Sequence, residues 1–268
     1  MSHILTSIHG RKGGFDKDGD LISGRSFRAG YNGKQRVFGS PAVVEFWDDF
    51  LGDVVADQWN ALEGSDSATS DAAILAGGIG GVLRFTTGDV TGVTAANVLA
   101  NVEEYVQALQ WQASNGGLTF ECRIALSSIT TSFCFVGFTD LAASAELPIE
   151  GSGTADGLTT NASDAVGFLF DVRMTTKDWW LTGVAANTDA TAVDSGVAPV
   201  AAAYNTLRVE VDASGDASFF IDGVNVGYVA SAVTAATDLT PVIAVSKAYA
   251  DTVSITADLD YVHVAMAR

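Results

Sequence analysis

The residues that could carry out hydrolysis are few and poorly spaced for it. The closest carboxylate pairs are Asp48/Asp49, Glu103/Glu104 and Asp258/Asp260. Cleaving a glycosidic bond with retention takes two carboxyls about 5–5.5 Å apart. Glu103 and Glu104 are adjacent and would point to opposite faces of a strand. All three pairs read as solvated surface acids. His3, His9 and His263 lie too far apart in the chain to suggest a metal cluster. Asp16-Lys17-Asp18-Gly19-Asp20 has the D-x-D-G-D opening of a calcium loop, but its twelfth position, which needs a bidentate Glu, is Phe27. A simple Asx/Gly turn is the expected reading there, and no cofactor is expected. A serine elbow, a phosphate-binding loop and a C-x-x-C pair are all missing from the sequence. Trp179-Trp180, beside Lys177-Asp178, is a candidate platform for stacking a sugar ring. Adjacent strand residues point oppositely, so one of these two rings belongs in the core.

Cys122 and Cys134 are the only cysteines, too few for a disulfide framework. Both lie in apolar stretches and would be nearly opposite in a hairpin centred on Ser128. Two buried thiols are expected, with a cross-strand disulfide as the alternative.

The elements that must position these residues read as strands. From Val43 onward, short apolar or alternating runs are separated by Gly, Asp, Ser and Thr clusters. They are Val43–Phe46, Gly81–Thr86, Leu118–Leu126, Phe133–Phe138, Val166–Met174, Trp179–Val184, Thr206–Val211, Ser218–Ile221, Val224–Val229, Pro241–Val245 and Val253–Met266. Val209 and Val211 alternate with Arg208 and Glu210, the pattern of one buried and one wet face. Ile221-Asp222-Gly223-Val224 places Asp-Gly between apolar runs, a strong hairpin signal. Val102–Trp111 fits a helical face and a strand about equally and stays undecided. So many strands with so few helix candidates predict an all-β sandwich over residues 43–268.

Residues 1–42 are of another kind. They hold eight glycines and isolated apolar residues with no helical or strand period, so they predict an extended arm ordered by contact. Seven basic and three acidic residues give the arm a net charge of +4, whereas the other 226 residues hold seven basic and 29 acidic groups, a net of −22. Arg11, Lys12, Phe15, Arg25, Phe27, Arg28, Tyr31, Lys34 and Arg36 are the candidate partner-binding residues of this arm. Its partner should be acidic: another protein, or the acidic body of a neighbouring copy. The overall charge of −18 argues against a nucleic-acid partner. No apolar run approaches the 18 or so residues needed to span a bilayer, so no membrane partner is expected. The start of the chain lacks a secretory apolar region, which predicts synthesis and use without export. Only 17% of residues are charged, against a usual share of about 25%, so part of the exterior is expected to be covered by partners.

Three pieces resemble the concanavalin A-like lectin/glucanase (LamG-like) superfamily, whose members are jelly-rolls of two large curved sheets. Phe46-Trp47-Asp48-Asp49-Phe50 followed by Trp59 is similar to the opening strand and first aromatic of such domains. Leu118-Thr119-Phe120-Glu121-Cys122-Arg123-Ile124 is similar to the "FEaRi" strand of laminarinase-type glucanases. Leu207–Val211 with Phe219-Phe220-Ile221-Asp222-Gly223, then Leu259-Asp260-Tyr261-Val262-His263-Val264, resembles the closing hairpin and strand. The resemblance implies a concanavalin A-like jelly-roll. The E-x-D-x-E strand of the laminarinase-type enzymes has no counterpart here, so the expectation is a chain without enzymatic activity. A basic arm on an acidic, charge-poor jelly-roll points to a virion structural protein. The specific expectation is a bacteriophage capsid decoration or cement protein, made in the host cytoplasm and carried on the capsid surface. Its arm would bind the major capsid protein, and the body would form a homo-oligomer, a trimer by analogy. The alternative is a carbohydrate-binding module of a tail or surface protein. A glycoside hydrolase with an unusual site, using Glu121 or Asp260, ranks third.

Overall fold

The computed structural model describes residues 27–29, 36–38, 43–52, 59–63, 71–77, 80–87, 102–106, 110–142, 146–153, 156–247 and 253–267. Within the arm, β1 (Phe27–Ala29) and β2 (Arg36–Phe38) pair into a short antiparallel ribbon, so part of the segment expected to lack periodic structure is strand. Arg11, Lys12, Phe15, Arg25, Tyr31, Lys34 and the Asp16–Asp20 stretch lie outside the described residues.

The body begins with β3 (Val43–Asp48), β4 (Trp59–Glu63), β5 (Asp71–Ile74), β6 (Leu83–Thr86) and β7 (Val102–Val106). It continues through β8 (Leu118–Leu126), β9 (Ser132–Thr139), β10 (Ile149–Gly151), β11 (Leu158–Thr160), β12 (Ala165–Asp171) and β13 (Trp180–Ala185). The remaining strands are β14 (Thr188–Asp189), β15 (Val193–Asp194), β16 (Asn205–Val211), β17 (Ala217–Ile221), β18 (Val224–Val229), β19 (Thr240–Lys247) and β20 (Thr256–Ala267). Two antiparallel sheets face each other. One runs β14-β13-β12-β9-β19-β7-β4, with β15 also on β13; the other runs β18-β17-β16-β8-β20-β6-β5, with β3 also on β20. The undecided segment at Val102 is therefore a strand, β7, with Trp111 bridged to Leu239 beyond it.

The two sheets differ in what covers them, and the sequence pattern shows it. In the second sheet, β8, β16, β17 and β20 alternate buried with half-exposed residues. Their inner residues, among them Phe120, Cys122, Val209, Phe219 and Val264, join Phe138, Phe168 and Trp179 of the facing side in the main core. In the first sheet every residue of β9, β12 and β19 is buried, as unbroken apolar runs require when both faces are dry. Its outer face forms a second core, in which Phe133, Phe135, Leu169 and Trp180 pack with Ile149 of the β10–β11 flap, Leu147 just before it and Met174 of the turn after β12. We call these the covered sheet and the open sheet.

β9 and β12 approach closely where Gly137 pairs with Gly167. A Cβ on Gly167 would lie 2.2 Å from the Val136 carbonyl oxygen, so only glycine fits. The Asp222-Gly223 turn has positive φ at both residues, 50° and 80°, as the tight hairpin joining β17 to β18 demands. Cys122 and Cys134 lie on strands of different sheets and meet the same core, so β8 and β9 do not form an in-plane hairpin about Ser128. Both are free thiols, and burial pushes their ionisation up.

Candidate functional site

Because the flap dries the outer face of the covered sheet, the outer face of the open sheet is the broad surface on which side chains can meet a ligand. Strand register sets out its rows. Trp47 of β3 pairs with His263 of β20, His263 with Glu121 of β8, Glu121 with Arg208 of β16, and Arg208 with Phe220 of β17. One row over lie Glu45, Ala265, Thr119, Glu210, Ser218 and Tyr228. On the other side, a bulge in β20 between Leu259 and Tyr261 brings Tyr261 opposite Arg123. Asp258, Tyr261 and His263 are thereby held on the outer face while Leu259 and Val262 stay in the core.

The side chains form a connected set. The Trp47 and Tyr261 rings stack with centroids 4.9 Å apart and planes 12° from parallel, and His263 lies 5.7 Å from Trp47 at a tilt. Tyr261 donates its hydroxyl to Glu121 Oε1 at 2.8 Å. Burial first, then this bond, raises the Tyr261 phenol well above its ordinary value, so it stays a donor. His263 Nε2 is 3.6 Å from Glu45 Oε1. Asp49 is pushed up by burial, a shift opposed in part by hydrogen bonds that include one from Trp47. Arg208 lies over the Phe220 ring at 4.3 Å, with Nη1 3.8 Å from Glu121 and Nε 3.1 Å from Glu210. The last contact is an ion pair without hydrogen-bond alignment, so the buried Nε makes no hydrogen bond.

Asp258 and Asp260, expected as solvated acids, are each neutralised by a cation. Arg84 grips Asp258 through two bonds of 2.7 Å, and Arg123 Nη1 meets Asp260 Oδ2 at 2.6 Å while its guanidinium covers the Tyr204 ring. Asp258 raises the Arg84 ionisation chiefly through that hydrogen bond. The Tyr204 phenol is raised by burial and then by both carboxylates.

The sugar-stacking candidates fall elsewhere. Trp179 is 1% exposed in the main core and Trp180 is 4% exposed beneath the flap. Parity correctly required one of them to be inside; the flap buries the other, so neither offers a ring face. The structure assembles instead Trp47, Tyr261, His263, Glu45 and Glu121. Of these, the shared face of Tyr261 and His263 was legible from their spacing of two. Trp47 joins them only through pairing between the two ends of the body. Among the described residues no group of three or more His, Cys, Asp or Glu could hold a metal ion.

No protein-family model and no curated sequence shows significant similarity to this chain. Solved structures do resemble it. A β-1,3-1,4-glucanase (lichenase) derived from a mouse hindgut metagenome is 14% identical, covers 82% of this chain and 98% of its own, and has a TM-score of 0.53. The Emp47p carbohydrate recognition domain is 11% identical, with coverage of 83% and 96% and a TM-score of 0.54. The β-glucanase of Bacillus licheniformis is 13% identical, with coverage of 82% and 97% and a TM-score of 0.51. The fold is thus the concanavalin A-like jelly-roll of glucanases and lectins, as the sequence resemblance implied. The expectation of a chain without enzymatic activity is corrected by the same likenesses. Glycoside hydrolases are among the proteins that share this fold, so it admits enzymatic activity, and the missing E-x-D-x-E strand does not exclude it.

Proposed function

We propose that this chain is a carbohydrate-binding jelly-roll, with the glycan lying across the outer face of the open sheet over Trp47 and Tyr261. One observation carries the reading: a stacked aromatic pair on an open sheet, bracketed by Glu45, His263, Glu121 and Arg208. Aromatic rings supply the apolar area that a sugar ring covers, and fixed polar groups beside them select its hydroxyls. The test is a glycan array followed by calorimetry on the hits, with reducing-end release measured on the same glycans. Trp47→Ala should weaken binding at least about tenfold, the loss of roughly 1.4 kcal/mol, while Trp180→Phe leaves it unchanged. Equal affinity in Trp47→Ala and the wild type would remove the site from this face.

A second reading, a phage virion structural protein anchored to the major capsid protein through its arm, is favoured by the charge division of +4 against −22. Removing residues 1–40 should then abolish incorporation into particles without altering the circular dichroism of the body. Normal incorporation would refute the anchoring.

A further inference from the structure

At one end of the open sheet lies a groove of about 460 Å³, a size typical of ligand sites. Its floor is the outer face of the sheet. Ala265 lines it and follows His263 by two residues on β20, so the groove begins one outward position beyond the Trp47–Tyr261 platform. In register with Ala265 come Thr119 of β8, Glu210 of β16, Ser218 of β17 and Tyr228 of β18, all of which line the groove. The floor thus carries a methyl and two hydroxyls, and a ring stands at its far side. Tyr228 is 53% exposed, yet its hydroxyl is tied. It donates to Asp216 Oδ2 at 2.6 Å, and Asp216 Oδ1 accepts the Ser231 amide at 2.6 Å. The ring is therefore placed before a ligand arrives, which lowers the ordering cost of binding.

The chemistry of the lining selects the occupant. Among the described lining residues are Glu210, Asp212 and Asp216 and no Lys, Arg or His, so an anion is repelled. A wholly apolar partner would leave these carboxylates and the two hydroxyls buried without hydrogen bonds, a costly arrangement. A neutral sugar meets both demands: its hydroxyls donate to the carboxylates while a ring face covers Tyr228. On the carbohydrate-binding reading proposed above, we infer that the ligand is an extended neutral glycan chain that crosses the strands from Trp47 to Tyr228, with the groove holding the units beyond the first platform. The path β3-β20-β8-β16-β17-β18 has five strand spacings, or about 24 Å at about 4.8 Å each. A hexose unit in an extended chain is about as long as one such spacing, so about five units are needed to touch both rings. A disaccharide reaches only one of them.

The experiment is calorimetry of the full chain against a ladder of one glycan: the tightest neutral hit of the array, from disaccharide to octasaccharide. Affinity should rise about tenfold or more between the disaccharide and the hexasaccharide, then level off. Tyr228→Ala should bring the hexasaccharide down to the affinity of the disaccharide, whose continued binding shows that the variant is folded. Trp47→Ala should weaken binding at every length. If Trp47→Ala weakens binding but affinity does not depend on length, or if Tyr228→Ala leaves the rise intact, the inference is overturned while the carbohydrate-binding reading stands. An array without a neutral hit, or a Trp47→Ala variant that binds every length like the wild type, overturns both. Binding of oligolysine in place of any neutral glycan, lost in molar salt, would also overturn it and assign the groove to a basic peptide.

Discussion

Replacing Asp171 with Ala should loosen the flap before it unfolds the sandwich. Asp171 ends β12 with its carboxylate fully buried. It accepts from the Gly151 amide of β10 at 2.7 Å, from the Arg173 amide at 2.8 Å, and from Arg173 Nε and Nη2 at 3.0 and 2.7 Å. Arg173 also reaches Glu150 Oε2 at 3.0 Å and lies 4.6 Å over the Phe133 ring. Breaking a buried ion pair from one side costs about 3–5 kcal/mol. Arg173 keeps Glu150 and is 31% exposed, which places the expected loss near the lower limit, at about 3 kcal/mol. At about 2–4 °C per kcal/mol in a chain of this size, melting should fall by roughly 6–12 °C. The local effect is more diagnostic. Hydrogen exchange should rise first at Ile149–Thr160, and Trp180 emission should move to the red as water reaches Phe133, Phe135 and Leu169. Asp171→Ala with Arg173→Met and Glu150→Gln should recover part of the loss, because no buried charge is then left unpaired. A loss under about 1 kcal/mol with unchanged exchange at Ile149–Thr160 would refute this account of the flap.

Two further outcomes follow from geometry. Gly167→Ala places a methyl against the Val136 carbonyl at 2.2 Å; denaturant titration should show a loss of about 1–3 kcal/mol, and a neutral change would mean that β9 and β12 can separate. Asp216 is held below its ordinary value of 3.8 by the Ser231 amide and then the Tyr228 hydroxyl. With the folded value depressed, its contribution is present above pH 3.8 and is lost as pH falls through the folded value. The NMR titration of the Ser231 amide should therefore have its midpoint below 3.8, and a midpoint at or above it would contradict the bonding.

Much of the fold was legible because burial writes itself into periodicity. Arg208, Val209, Glu210 and Val211 alternate as a strand with one wet face must, and Asp222-Gly223 marks its turn. β4, β5, β10 and β11 went unread, since strands of three to five residues with mixed polarity carry too little pattern. Val102–Trp111 was ambiguous because the apolar spacing fits both periods, and only the pairing of β7 with β4 and β19 decides it. The flap was missed, although Phe133-Cys134-Phe135-Val136 carried its signal: an apolar run without alternation needs dry cover on both faces. That omission is why Trp180 read as a ligand platform.

The flap also determines where function can reside. A jelly-roll offers two outer sheet faces, and this chain spends one on a second hydrophobic core. Among the described residues the remaining face holds three arginines, Arg84, Arg123 and Arg208, and each lies within ion-pair distance of a carboxylate of the same face. His263 has Glu45. A surface whose cations are already matched has little left with which to hold an anion, and the body's net charge of −22 repels one at longer range. On the proposed reading, uronic or sialic acid chains are poor candidates, and an uncharged glycan is the expected ligand of the Trp47–Tyr261 face. Raising the salt concentration should leave such binding nearly unchanged, because it does not depend on opposite charges meeting across the interface. A glycan titration at two ionic strengths tests this: a marked loss of affinity at the higher one would mean that charge, and not the aromatic face, carries the binding.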